Sequence, residues 1–118
     1  MITGTLTAEG TPIIELLIAG QSWTTIVDTG FDGHLELPDT LRGQLNPVYV
    51  GNTLSELAAG QVIEEQVFEV VIPFDGQEVR AHVTFVPGTD ILLGTAMLGS
   101  YRLEIDFPRQ TVELERVA

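Results

Sequence analysis

The stretch IVDTGFDGHLELP, residues 26–38, carries an unusual change of character. Ile26 and Val27 are two apolar residues of a strand-like run. A carboxylate, a hydroxyl and a glycine follow them directly: Asp28, Thr29 and Gly30. Asp, Thr and Gly are common at strand ends, so the triplet by itself reads equally as a turn or as part of a site. What surrounds it decides between the two.

Upstream and downstream, the periodicity is mostly that of strands. ITGTLTA (2–8) alternates, PIIELLIAG (12–20) is a short apolar run closed by glycine, and SWTTIVD (22–28) ends in the triplet. HLELP (34–38) alternates again and stops at Pro38. PDTLRGQL (38–45) is the first helix candidate, with Pro38 near its start and Asp39 or Thr40 available as a cap. The segment 48–74 reads as long strands folded back on themselves at Ala58-Ala59-Gly60. Asp75-Gly76 is a favoured two-residue hairpin turn, and Pro87-Gly88 closes the strand after it. DILLGTAMLGSY (90–101) combines a short apolar strand with about one helical turn ended by Gly99. YRLEIDF (101–107) and TVELERV (111–117) form a last hairpin around Pro108, Arg109 and Gln110. Many short strands and at most one or two short helices predict an all-β fold, a closed or nearly closed barrel. No linker or composition shift divides it, so residues 1–118 are expected to form a single domain.

Composition narrows the function. Five basic residues, all Arg, face seventeen acidic ones, for a net charge of −12. Such a surface repels phosphate backbones and anionic bilayers, which argues against nucleic-acid and membrane partners. The absence of cysteine removes disulfides, thiol catalysis and thiolate metal sites. The start MITGTLTAEG has neither a basic start nor an apolar core, and no run is long enough to span a bilayer. The expectation is a soluble, cytoplasmic protein.

The chemistry available to the triplet is general acid–base hydrolysis. Two carboxylates about 3 Å apart share a proton; the ionised one activates a bound water and the protonated one polarises a carbonyl. In that scheme Gly30 lets a substrate approach the backbone, and its N–H can donate to a carboxylate oxygen. Other chemistry is poorly provided for. His34 and His82 are the only histidines and have no metal-ligand spacing, so neither a metal nor any other cofactor is expected. Ser22, Ser55 and Ser100 lack a nucleophile context. Trp23 reads as core or interface, and the pairs Glu64-Glu65 and Glu113 with Glu115 as solvated strand faces.

The apolar pair before Asp28-Thr29-Gly30, followed much later by Leu92-Leu93-Gly94, resembles the retroviral-type (retropepsin-like) aspartic proteases, more narrowly their small stand-alone bacterial members. Phe31-Asp32-Gly33 and the segment 92–107 are similar to the corresponding stretches of that group, so the likeness spans nearly the whole chain. It implies an aspartic endopeptidase acting on a peptide or protein substrate. With one such triplet per chain, the second carboxylate must come from a second copy, which makes a two-fold homodimer the functional unit.

The resemblance further implies that Thr29 braces the two loops across the interface. It implies that Leu92, Leu93 and Gly94 support the loop from beneath. By position, residues 53–67 become a flap with Ala58, Ala59 and Gly60 at its tip, while Phe31, Asp32 and Gly33 line the cleft. Ala59 at the flap bend and Ala96 after the second glycine depart from the usual pattern of such proteins, and both bear on substrate handling. The alternative is a non-catalytic dimeric β module that binds a peptide or protein partner in the same cleft. A third reading makes the chain an acidic structural protein in which the triplet is merely a turn.

Overall fold

The computed structural model describes all of residues 1–118. Strands hold 59% of the chain and the only helical pieces are short 3₁₀ turns, which makes the fold all-β. The strands are β1 (Ile2–Leu6), β2 (Pro12–Ile18), β3 (Gln21–Val27), β4 (Leu35–Pro38) and β5 (Val48–Glu56). They continue with β6 (Val62–Phe74), β7 (Gln77–Val86), β8 (Ile91–Leu93), β9 (Tyr101–Asp106) and β10 (Thr111–Arg116).

Local sequence explains most of these elements. In β2, Ile14, Leu16 and Ile18 point inward and are buried, while Glu15 and Leu17 between them face out, as a period of two requires. Asp75 (φ 52°) and Gly76 (φ 77°) both adopt the left-handed conformation, and Phe74 pairs directly with Gln77. That two-residue turn twists as its flanking strands do. Ala19 and Gly20 join β2 to β3 in the same manner, with an alanine in the first position. Residues 39–44 form a 3₁₀ turn held to the body by buried Leu41. Pro38, whose φ is preset, occupies its N-cap with no side-chain hydrogen bond. The expected capping by Asp39 or Thr40 therefore does not occur: Asp39 lies within the turn's first residues, past the position from which a cap acts.

All ten strands belong to one sheet, in the order β5-β6-β7-β4-β8-β3-β2-β1-β10-β9. The sheet is not closed: β5 and β9 are its two free edges, so the closed form of the expected barrel does not apply. It folds over until β2 packs against β6, and a core of eighteen buried apolar residues fills the space between. Trp23 packs against this core and donates its indole N–H to the Ile18 carbonyl oxygen at 3.3 Å. Thr25 is the sole fully buried polar residue, and its hydroxyl donates to the Trp23 carbonyl oxygen at 3.2 Å. No buried side-chain polar atom is left without a partner. No helix is long and apolar enough to cross a membrane.

Candidate active site

The site begins with a crossing of strands. β8 runs parallel to β3, with Thr25 opposite Ile91, Ile26 opposite Leu92 and Val27 opposite Leu93. On its other side β8 pairs antiparallel with β4, Leu35 opposite Leu93 and Glu36 opposite Leu92. The chain between β3 and β4, residues 28–34, must therefore climb over the end of β8. It carries the triplet as it does so.

Backbone hydrogen bonds hold that loop to what lies beneath. Asp28 N–H donates to the Leu93 carbonyl oxygen at 2.9 Å, and Gly94 N–H donates to the His34 carbonyl oxygen at 2.9 Å. Thr95 N–H reaches the Phe31 oxygen at 2.9 Å, and Ala96 N–H the Gly33 oxygen at 3.2 Å. Ala96 thus contributes through its amide, which any residue other than proline would supply. The approach is too close for a side chain at residue 94. A Cβ there would fall onto the Gly33 carbonyl oxygen and within 2.7 Å of Phe31. A Cβ at Gly33 would stand 2.7 Å from the tip of the Phe31 ring, so that side chain would have to shift. Leu92-Leu93-Gly94 lies directly under the loop, with Leu93 and Gly94 buried and Leu92 half-buried.

Asp28 is half-buried, and Thr29 and Gly30 are exposed. One oxygen of the Asp28 carboxylate accepts the Gly30 N–H at 2.9 Å, which fixes its direction. Between the loop and the hairpin of β5 and β6 lies a cleft of about 790 Å³. Gly30, Phe31, Asp32, Gly33, His34 and Glu36 line its floor, and Thr53, Leu54, Ser55, Glu56, Leu57 and Glu65 its roof. His82 and Thr84 of β7, together with Ala96, close the side. Phe31, Asp32 and Gly33 therefore lie on the cleft floor. Ala58, Ala59 and Gly60 form the exposed tip of the hairpin, outside the lining, and Asp28 also lies outside it.

Two neighbourhoods were not evident from the sequence. Burial chiefly, then Glu65 across the cleft and then Asp28, pushes the Glu36 carboxyl above its ordinary range. Burial, helped by His82, pushes the His34 imidazole below its ordinary value. The alternation of HLELP carried part of this signal, because burying Leu35 and Leu37 sends His34 and Glu36 to the opposite face. It could not say what stood across from them. His34, immediately before β4, is half-buried and forms a wall of the cleft beside His82. No group of three or more His, Asp or Glu residues is arranged to hold a metal ion.

Solved structures place this architecture. The chain superposes on a retropepsin-like aspartic protease from Rickettsia conorii with a TM-score of 0.68 and 18% identity, over 96% of this chain and 88% of that one. EIAV protease, solved with the inhibitor HBY-793, matches with a TM-score of 0.62 and 20% identity, over 80% and 90% of the two chains. The protease of simian foamy virus (mac) matches with a TM-score of 0.56 and 21% identity, over 73% and 90%. No protein-family model and no curated protein matches the chain. The fold is that of the retropepsin-like aspartic proteases.

Proposed function

We propose that this chain is one subunit of a two-fold homodimeric aspartic endopeptidase. The observation that carries the reading is the restraint on Asp28: its N–H is bonded to the Leu93 carbonyl and its carboxylate to the Gly30 N–H. A carboxylate so held is preorganised before substrate arrives. Its place outside the lining of the single-chain cleft fits a site whose other half comes from a second copy. The likeness to solved proteases supports the same assignment at the level of the fold.

In this reading two Asp28 carboxylates, one per subunit, hold a water between them. The ionised member takes a proton from the water as its oxygen attacks the scissile carbonyl carbon, and the protonated member donates to the carbonyl oxygen. Collapse of the tetrahedral diol breaks the C–N bond as the leaving nitrogen takes up a proton. Thr29, exposed beside Asp28, braces one loop against its partner. Phe31, Asp32 and Gly33 hold the peptide from below, with Asp32 accepting a peptide N–H. The hairpin, tipped by Ala58, Ala59 and Gly60, closes from above.

The test is cleavage of a peptide library by the wild type and by Asp28→Asn. The wild type is expected to cleave with a bell-shaped profile centred on the acid side of neutrality. Asp28→Asn is expected to lose about 10²–10⁴-fold in kcat, the range for a general acid–base group. Equal turnover by both proteins ends the proposal. Peptide binding without cleavage across the pH range assigns the cleft to a non-catalytic binding module.

A further inference from the structure

His34 does more than line the cleft. It is the last residue of the loop before β4, and two of its atoms are engaged. Its carbonyl oxygen accepts the Gly94 N–H at 2.9 Å. Its ring Nδ1 accepts the backbone N–H of His82, 48 residues further on, at 3.0 Å. The ladder between β4 and β7 begins one residue later, where Leu35 pairs with Val83. The imidazole thus supplies a hydrogen bond to β7 just before the backbone ladder takes over. An accepting Nδ1 also defines the tautomer: the ring is neutral and its proton sits on Nε2.

We propose that His34 is a positioning residue whose neutral ring, bonded to the His82 amide, pins the far end of the active-site loop to β7 and keeps its carbonyl aimed at Gly94. This rests on the reading of Asp28 as catalytic, because the loop so pinned is the one that carries it. The near end is secured by the Asp28–Leu93 bond. Without the ring, the loop is hydrogen-bonded to its surroundings through β8 and the turn after it, including the Thr95 hydroxyl on the Phe31 carbonyl, with no hydrogen bond from β7.

The bond depends on the ring's charge state. A protonated imidazole donates at both nitrogens and cannot accept the His82 N–H. His82 stands against the ring edge-on, with centroids 5.5 Å apart, and Glu69 of β6 is 3.9 Å from the far nitrogen of His82. Arg80 of β7 in turn lies 3.7 Å from Glu69. Asp32 of the loop, Glu36 of β4, Glu56 of β5 and Glu65 of β6 share the cleft. Among these charges His82 is the one that acts on the ring, in the same direction as burial, and both favour the neutral form. The latch therefore stays closed somewhat below the ordinary histidine value of 6.5 and opens as the pH falls further.

His34→Asn and His34→Ala test this. Asn places a carbonyl oxygen near the position of Nδ1 and does not titrate; Ala removes the acceptor. In His34→Ala, amide exchange at His82 and Gly94 is expected to quicken about three- to tenfold, the scale of one lost hydrogen bond. Its kcat should fall on the order of ten- to a hundredfold with KM moved much less, as expected of a misplaced catalytic group. His34→Asn should recover most of both losses, and its activity should extend to lower pH than that of the wild type. Wild-type exchange in His34→Ala would overturn the proposal. So would His34→Asn as impaired as His34→Ala, which would assign the effect to the bulk of the ring. If the wild type cleaves no peptide, the peptidase reading falls while the exchange rates still decide the latch.

Discussion

The floor and the roof of the cleft are built from the same kind of strand but on opposite terms. The floor is the loop that carries Asp28 and the start of β4, bonded across the end of β8, a strand with a hydrogen-bonded neighbour on each side. Leu93, the last residue of β8, is 0% exposed. The roof is β5, which has a partner on one side only, and the outer half of β6. Seven of the twelve large apolar side chains that the chain exposes lie between Val48 and Ile63, Leu54 at 71% among them. At the tip, Leu57 N–H bonds the Gln61 oxygen at 2.6 Å, and Ala59 takes φ 76°, a strained value for a residue with a Cβ. The difference is one of connectivity. A strand between two others cannot shift without breaking bonds on both sides, whereas an edge hairpin moves at the cost of few. Precision of the proposed chemistry and admission of a chain-like substrate make those two demands.

Glycine substitutions should separate the regions most sharply. Gly94→Ala drives a methyl into the Gly33 carbonyl and the Phe31 ring and is expected to cost about 3 kcal/mol, the upper end for overpacking. Gly60→Ala, at φ 76° with open space around it, should cost only about 1–2 kcal/mol, the price of the left-handed conformation. Denaturant midpoints for the two proteins measure both. A Gly94→Ala protein no less stable than Gly60→Ala would break the contrast.

Leucine truncation sharpens the contrast without touching the backbone. Leu93→Ala removes a fully buried side chain between three strands and should cost about 2–5 kcal/mol. Leu54→Ala, on the exposed roof, should change stability by no more than about 0.5 kcal/mol. If instead Leu54→Ala lowers stability in a concentration-dependent way, the roof is covered in an oligomer and its looseness belongs to the isolated chain.

The smallest effect lies where the two regions act on each other. Glu36 of the floor is pushed above its ordinary value of 4.5 by burial, by Glu65 of the roof and by Asp28. A folded-state pKa above the unfolded one means that the charged form is penalised by folding. The penalty is complete above the raised value and fades as the pH falls towards 4.5. Glu36→Gln should therefore raise the melting temperature slightly near neutrality, and the gain should vanish in acid. His34 contributes with the opposite trend: its value is lowered from 6.5, so stability declines as the pH falls from there towards the lowered value. A thermal scan of the wild type and Glu36→Gln across pH 4–7 checks the first, and a gain that grows towards acid would contradict it.

Much of this was legible in the chain because it is encoded within a few residues. Asp75-Gly76 makes its turn, Ala58-Ala59-Gly60 makes its bend, and the alternation in β2 chooses the buried face, each by local conformational preference and periodicity. Asp28-Thr29-Gly30 and Leu92-Leu93-Gly94 marked the two segments that the fold brings together. The helix candidate at 38–45 shows the limit, since the residues read as caps were inside the turn. Tertiary structure alone decided that β8 slots between β3 and β4, that the sheet remains open at β5 and β9, and that His34 meets His82. Those pairings join residues tens of positions apart. What selects them is the closure of long loops and the filling of one shared core, and neither leaves a pattern in any short window of sequence.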